Sequence, residues 1–83
     1  MKHDLDIYSK YFEAVVDGTK TFEVREKRDR NFKVGNVLLL KEIDELSKKH
    51  TGREILKEIS YILDDSNYCK NGYVILGLKQ EEK

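Results

Sequence analysis

The sequence has 83 residues, of which 39 % are hydrophobic and another 39 % are charged. A chain of this length predicts a single domain, over residues 1–80 with a polar tail at 81–83. Its 16 basic residues balance its 16 acidic ones, so overall charge does not favour binding to nucleic acid or to a membrane surface.

Features that the sequence lacks exclude further classes of protein. The single Cys69 cannot form an intramolecular disulfide, and no segment has the roughly 18 apolar residues of a membrane span or the apolar core of a signal peptide. His3 and His50 lack the paired spacing of zinc ligands, and no cofactor motif is present. We therefore expect a cytoplasmic protein without a metal, a cofactor or a membrane partner.

The first predicted elements are a strand and a short helix. Residues 3–8 alternate, with Leu5 and Ile7 on one face and aspartates on the other, which is typical of a half-buried strand. Ser9 is the predicted helix N-cap, and Gly18 is the predicted left-handed residue that ends the helix. The apolar residues between them have helical spacing: Tyr11, Phe12, Val15 and Val16.

A second strand is predicted at residues 21–25, where Phe22 and Val24 alternate with polar side chains. We expect these two apolar residues to face the core, which directs Glu23 and Arg25 away from it. The charged loop at 26–35 follows, with Phe32 and Val34 as its apolar anchors.

The second half of the chain contains one ambiguous segment between two clear strands. The apolar run at 37–43 predicts a strand that is covered on both faces at its start, and the β-branched run at 73–78 predicts the last strand. Residues 53–63 have an apolar stripe at helical spacing, although a strand face also fits most of the odd positions. The pattern alone favours a helix there.

The stretch "GTKTFEVR" at 18–25 matches the Gly-x-Lys-x-x-Glu-x-Arg motif of the ASCH (activating-signal-cointegrator homology) domains of the PUA-like superfamily. The whole chain also resembles a small ASCH-related family of uncharacterised bacterial and phage proteins. Further short matches to this family are His3, residues 11–18, 32–35, 51–54 and 72–77.

This resemblance implies an α+β fold, a small mixed β-barrel of five to six strands with one or two short helices, in which residues 53–63 form a strand. ASCH domains are proposed RNA binders. Some short relatives resemble amidohydrolases that remove the acyl group of N4-acetylcytidine, and others have been linked to RNA cleavage. The resemblance therefore favours an RNA- or nucleotide-binding function, with a small hydrolase of N-acylated pyrimidine nucleosides or RNA as the alternative.

Lys20, Glu23 and Arg25 are the central candidate site residues, with Thr21 beside them. A guanidinium can bind a phosphate or a base edge through two parallel hydrogen bonds, a carboxylate can accept from an exocyclic amine, and a lysine adds a mobile charge. The three therefore suit an RNA or nucleotide partner. The alternative interpretation is that Glu23 and Arg25 only pair with each other on an exposed strand.

The charged loop and the first strand supply further candidates. Arg25, Arg28, Arg30 and Lys33 could line a groove that follows a phosphate backbone, unless Glu26 and Asp29 neutralise them in a solvated hairpin. His3 could contact a ligand at the barrel mouth, and Tyr68 is the tyrosine best placed for stacking.

A catalytic role would use Lys20 and Glu23. In the amidohydrolases that the chain resembles, the motif lysine activates a threonine three residues later, but this sequence has Glu23 at that position. Thr21 is only one residue from Lys20 and would need a different geometry. Glu23 could instead act as a base on water, with Lys20 stabilising an oxyanion. A protein-adaptor function would need an exposed apolar patch, and no single stretch of the sequence supplies one.

Overall fold

The computed structural model describes residues 1–28 and 30–80. The predicted tail at 81–83 and the predicted neutralising role of Asp29 lie outside these residues. The elements in chain order are β1 (Lys2–Tyr8), α1 (Ser9–Val16), β2 (Phe22–Glu26), β3 (Val37–Ile43), β4 (His50–Leu63) and β5 (Tyr73–Gln80).

The strands form a mixed sheet in the order β1-β3-β4-β5-β2. β1 and β3 are parallel, and the other neighbouring pairs are antiparallel. The sheet curves into a half-barrel, and α1 packs against β1 and β3. Within the described residues the protein is therefore a small barrel-like α+β fold of five strands and one short helix, which confirms the coarse fold prediction.

The core lies between the inner face of the sheet and α1. Alternation along each strand places every second apolar side chain on this face, while α1 adds two residues from its apolar stripe. The buried apolar residues are Leu5, Ile7, Phe12, Val15, Leu38, Leu40, Ile59, Val74, Leu76 and Leu78.

Residues 53–63 belong to the long strand β4, so the helix favoured by their pattern is wrong and the strand implied by the family resemblance is confirmed. β4 pairs with β3 along its first part and with β5 along its second part. The backbone pairing offered by these two neighbours overrides the local helical pattern, because the sheet buries Ile59 fully. Register shifts opposite Lys41–Ile43 and between Ile59 and Tyr61 bend the strand.

The two ends of α1 differ in how well the sequence predicted them. Tyr8, in extended conformation, precedes the helix, and Ser9 is its first residue. The Ser9 hydroxyl donates to the Ile43 carbonyl oxygen at 3.3 Å, so the predicted N-cap is wrong. Gly18 has a φ of +86°, which confirms it as the left-handed residue after the helix.

β1 and β2 are the two edges of the sheet, and the gap between them is called the seam below. Thr21 and Lys27, which flank β2, bond to the backbone of Leu78 in β5 and of Gly72 just before it. The alternate residues Phe22, Val24 and Glu26 therefore direct their backbone N–H and C=O groups into the seam. The backbone N–H of Val37 donates to the Met1 carbonyl oxygen, so the odd-numbered residues of β1 bond to β3. The even-numbered residues of β1 therefore direct their backbone N–H and C=O groups into the seam.

Candidate functional site

The side chains of β2 point in the opposite sense to the one predicted. Glu23 is only 4 % exposed and lies on the inner face, whereas Phe22 and Val24 are 45 % and 52 % exposed on the outer face. The register explains the reversal, because Glu23 and Arg25 pair with Leu76 and Val74, which β5 directs inward. Directly opposed residues share a face, so β2 must bury its polar side chains.

Lys20 and Arg25 neutralise the buried carboxylate of Glu23 from both sides. The Lys20 ammonium contacts Oε1 of Glu23 and donates to the Phe22 carbonyl oxygen at 2.7 Å. The Arg25 Nε donates to Oε2 of Glu23 at 2.8 Å. A carboxylate removed from water is stable only when it is paired and hydrogen-bonded in this way. The predicted trio is thus brought together, as an internal ion-pair cluster.

A cleft of about 460 Å³ opens beside this cluster. β1 supplies one wall with Asp6, Ile7 and Tyr8, α1 contributes Tyr11, and the other wall consists of Lys20 and the side chains of β2 from Phe22 to Arg25. The Lys20 Nζ lies 5.0 Å from the centre of the Phe22 ring and 5.9 Å from that of Tyr11. This region, called the aromatic half of the seam, has the size and mixed lining of a small-molecule site.

Arg25 separates the aromatic half from a second cavity of about 350 Å³, called the charged half. The two cavities share Asp6 and Arg25. Predicted residues Arg28 and Arg30 line the charged half, but so do Asp4, Asp6 and Glu26, and the Arg28 Nε donates to Glu26 at 2.7 Å. Acidic side chains therefore balance much of the positive charge of this loop.

Three other predicted residues lie outside the seam. Thr21 is exposed and uses its carbonyl oxygen to accept from Leu78, and it lines neither half. His3 is buried, with Nε2 3.1 Å from the Asn36 side-chain oxygen and its ring 4.7 Å from that of Phe32. Lys33 also donates its backbone N–H to Asn36. His3 thus anchors the charged loop onto the core.

The two predicted loop anchors differ. Phe32 packs against the core and is confirmed, whereas Val34 is 61 % exposed and is no anchor. The difference arises because the His3 ring gives Phe32 a partner inside the half-barrel, while Val34 lies with Gly35 in the turn that the Asn36 N–H closes onto the Lys33 carbonyl oxygen.

Sequence reasoning missed a second buried carboxylate, Glu42 on β3, which is 4 % exposed. Gly52, at a φ of +96°, lies where β4 bulges opposite Glu42, and the bulge turns both Thr51 and Arg53 toward it. The Thr51 hydroxyl donates at 2.5 Å and the Arg53 Nε at 2.9 Å, and Arg53 also contacts Glu13 of α1. Glu42 could have been identified from the sequence, because it is an acidic residue at an inward-facing position of the strand predicted at 37–43.

These hydrogen bonds keep the Glu42 carboxylate ionised and connect it to the neighbouring elements of the fold. Hydrogen bonds from Arg53 and then Thr51 lower the pKa of the Glu42 carboxyl from 4.5 to about 2. Hydrogen bonds to the Glu42 carboxylate and then to the Glu13 carboxylate raise the pKa of the Arg53 guanidinium. The cluster ties β3, β4 and α1 together and lies outside both halves of the seam.

The outer face of β2, β5 and β4 carries an apolar surface that no stretch of the sequence reveals. The register aligns Phe22 with Gly77 and Tyr61, and aligns Val24 with Ile75 and Leu63. Tyr61 is 66 % exposed. No single stretch of the sequence supplies this surface, because strand pairing collects residues that are far apart in the chain.

Residues 1–28 and 30–80 contain neither a cluster of metal ligands nor a helix that could span a membrane. In this part of the chain no group of three or more His, Cys, Asp and Glu side chains is arranged to hold a metal ion. The helix found there is too short to cross a bilayer.

Comparison with known proteins gives one family and one relative. Residues 2–78 match the model of a family described as a domain of unknown function, DUF3850. The chain is also 35 % identical, over 74 residues, to a protein of Escherichia phage P2 described as an uncharacterised 12.9 kDa protein in the GpA 3′ region. The match covers 89 % of this chain and 64 % of the phage protein, so the chain spans less than two thirds of that relative.

Proposed function

The chain belongs to the DUF3850 family, and we propose that it binds RNA or a modified nucleotide in the seam, with Lys20, Glu23 and Arg25 at the centre of the site. The observation that carries the proposal is the convergence of these three side chains on a cleft of about 460 Å³ between two sheet edges. An ion-pair cluster with no cavity beside it would be explained by its contribution to the stability of the fold.

The aromatic half suits a nucleobase. Tyr11 and Phe22 offer ring faces on which a base can stack, and the Lys20 ammonium lies close to both rings. The backbone N–H and C=O groups that Val24 directs into the seam are free of pairing within the sheet. Such groups can donate to and accept from the edge of a base, as they would in a strand ladder.

The contacts assign different roles to the three residues. Both carboxylate oxygens of Glu23 are engaged by Lys20 and Arg25, so in the binding function Glu23 positions the two cations. The Arg25 guanidinium uses Nε for Glu23 and Nη2 for the Asp6 carbonyl oxygen, which leaves further N–H donors for a ligand. Arg25 is therefore the residue expected to contact a phosphate or a base edge.

We also propose that the family is related to the ASCH domains of the PUA-like superfamily. The supporting evidence is the Gly-x-Lys-x-x-Glu-x-Arg motif at 18–25 together with the barrel-like sheet on which its charged residues line a cleft. The charge balance of the charged half favours recognition of one or a few nucleotides over tracking along a long phosphate backbone.

A second candidate function, hydrolysis of an N-acylated pyrimidine nucleoside, is favoured by the contact between Lys20 and the buried Glu23 inside the cleft. Thr21 does not line the cleft, so the nucleophile would be water, with Glu23 as its base and Lys20 stabilising the oxyanion. Incubation with N4-acetylcytidine tests it: cytidine that the parent releases and a Glu23→Gln variant does not would support hydrolysis. No cytidine from the parent would reject it.

The binding proposal is tested by titrating labelled single-stranded RNA and nucleoside monophosphates into the parent protein and two variants. Arg25→Ala should weaken binding at least about tenfold, the effect of a lost charge-assisted hydrogen bond. Lys33→Ala is the matched control, because it removes a cation of the adjacent charged loop that does not line the seam. Equal affinities for the parent and Arg25→Ala would refute the site.

A further inference from the structure

A cavity of about 290 Å³ on the outer face lies beside the seam and plays no part in the proposed function so far. Its residues are Tyr68, Cys69 and Lys70 from the loop after β4, together with Val24, Tyr73 and Ile75 from the strands. It is called the Tyr68 cavity.

The Tyr68 cavity combines ring faces with a cation. Tyr68 is 77 % exposed, far more than a tyrosine that contributes to a core, and Tyr73 forms a second aromatic wall. The Lys70 Nζ lies 5.2 Å from the centre of the Tyr73 ring. Val24 and Ile75 provide an apolar floor. Aromatic rings, an apolar floor and a lysine are the components of a site for a stacked base with its phosphate.

The carboxylates of the neighbouring loop are already engaged. Asp64 pairs with Lys27 at 3.1 Å, and the Asp65 side chain accepts from the backbone N–H of Asn67 at 2.8 Å. Lys70, by contrast, has no carboxylate partner among the described residues. A phosphate near Lys70 would therefore meet a cation that is not neutralised by an ion pair.

The position of the cavity connects it to the seam. Val24 lines both the aromatic half of the seam and the Tyr68 cavity, so only the edge strand β2 separates them. One strand occupies about 4.8 Å of a sheet, which two adjacent nucleotides of a flexible single strand can cross. A chain with one base in the seam would thus carry its next base to Tyr68.

We propose that the Tyr68 cavity binds a second nucleobase of a single-stranded RNA whose neighbouring base occupies the aromatic half of the seam. This inference rests on the proposed function and specifies its ligand as an oligonucleotide of at least two units. A free nucleotide would fill the seam alone.

The test compares two probe lengths on three proteins. Adenosine, cytidine and uridine monophosphates and the matching single-stranded tetranucleotides are titrated into the parent, Tyr68→Ala and Tyr61→Ala. Tyr61 is the matched control, because it is an exposed tyrosine of the same outer face that lines neither cavity. Both side chains are exposed enough for their removal to leave the fold intact.

The expected result has four parts. The parent binds a tetranucleotide more tightly than its monophosphate, Tyr68→Ala weakens the tetranucleotide by about fivefold or more, and it leaves the monophosphate unchanged. Tyr61→Ala changes neither.

Two other results would each reject a different claim. If the parent binds both probes equally and Tyr68→Ala has no effect, the second base site is refuted while the seam site stands, and the outer face is then open to a protein partner. If the parent binds no probe of either length, the proposed function itself fails, and this inference fails with it.

Discussion

Arg25 joins the two edges of the sheet, because its Nη2 donates to the backbone carbonyl oxygen of Asp6 at 2.8 Å across the seam. β1 and β2 have no backbone ladder between them in the described sheet. The guanidinium therefore replaces a strand-to-strand bond at this point and stands between the two halves of the cleft. A ligand that enters the seam would contact Arg25, which belongs to one wall and is already hydrogen-bonded to the other.

This position gives Arg25 a part in stability as well as in binding. We expect Arg25→Ala to lower the free energy of unfolding by about 1–3 kcal/mol, because it removes the bond to Asp6 and leaves one oxygen of the buried Glu23 carboxylate without its donor. Urea unfolding measures the change. Lys10→Ala is the control, since it removes an exposed ion pair with Glu45 and should cost less than about 1 kcal/mol. Equal losses in the two variants would contradict the buried role of Arg25.

Glu23 should stabilise the protein by separating two cations. Glu23→Gln keeps the shape of the side chain but leaves the Lys20 and Arg25 charges facing each other, so the loss of stability should be larger in dilute buffer than in about 1 M salt, which screens the repulsion. Lys20→Met in the Glu23→Gln background should recover part of the loss. If the second substitution only adds further destabilisation, repulsion between the cations is not the cause.

The shifted pKa of Glu42 predicts a specific dependence of stability on pH. The pKa of the Glu42 carboxyl is about 2 in the folded protein and 4.5 in the unfolded chain, so folding favours the ionised form. This contribution is complete above about pH 4.5 and is lost as the pH falls toward 2. The difference in unfolding free energy between the parent and Glu42→Gln should thus be constant from pH 5 to 7 and shrink below about pH 4.5. Urea unfolding at several pH values measures it, and a difference that persists unchanged at pH 3 would contradict the assignment.

Gly52 should be required for the bulge that surrounds Glu42. Its φ of +96° is strained for any residue with a Cβ, so Gly52→Ala should destabilise the protein by about 1–2 kcal/mol. Weaker bonds from Thr51 and Arg53 should also raise the pKa of the Glu42 carboxyl, which NMR titration detects. An unchanged pKa would show that the bulge does not depend on this glycine.

Strands were predicted correctly where the sequence pattern was clear. β1 was recognised from alternation, and β3 and β5 from their apolar and β-branched runs, and in the structure each of the three buries alternate residues against one core. β4 was not recognised from its pattern, since Ile55, Leu56, Ile59, Ile62 and Leu63 fit a helical stripe and only pairing with both β3 and β5 decides between the two forms. A local sequence pattern does not reveal which strands will pair with a segment, and for β4 that pairing decides the structure.

The sequence grouped Lys20, Glu23 and Arg25 correctly in space, but it predicted the wrong face of β2 for Glu23 and Arg25. Alternation showed that Glu23 and Arg25 share a face, but it could not show which face is buried, and hydrophobicity assigned the wrong one to the core. Pairing of Glu23 with Leu76 decides the orientation, and the ion pairs with Lys20 and Arg25 make the burial tolerable. The seam also escaped prediction, because it exists only between strands that are not neighbours in the sheet.

The most direct test of the seam as a nucleotide site is an NMR titration of the ¹⁵N-labelled protein with a short single-stranded RNA of mixed sequence. We expect saturable shifts of the backbone amides that line the seam, from Asp6 to Tyr8 and from Phe22 to Arg25. Shifts confined to the turn between β3 and β4, or no shift at any RNA concentration, would contradict it.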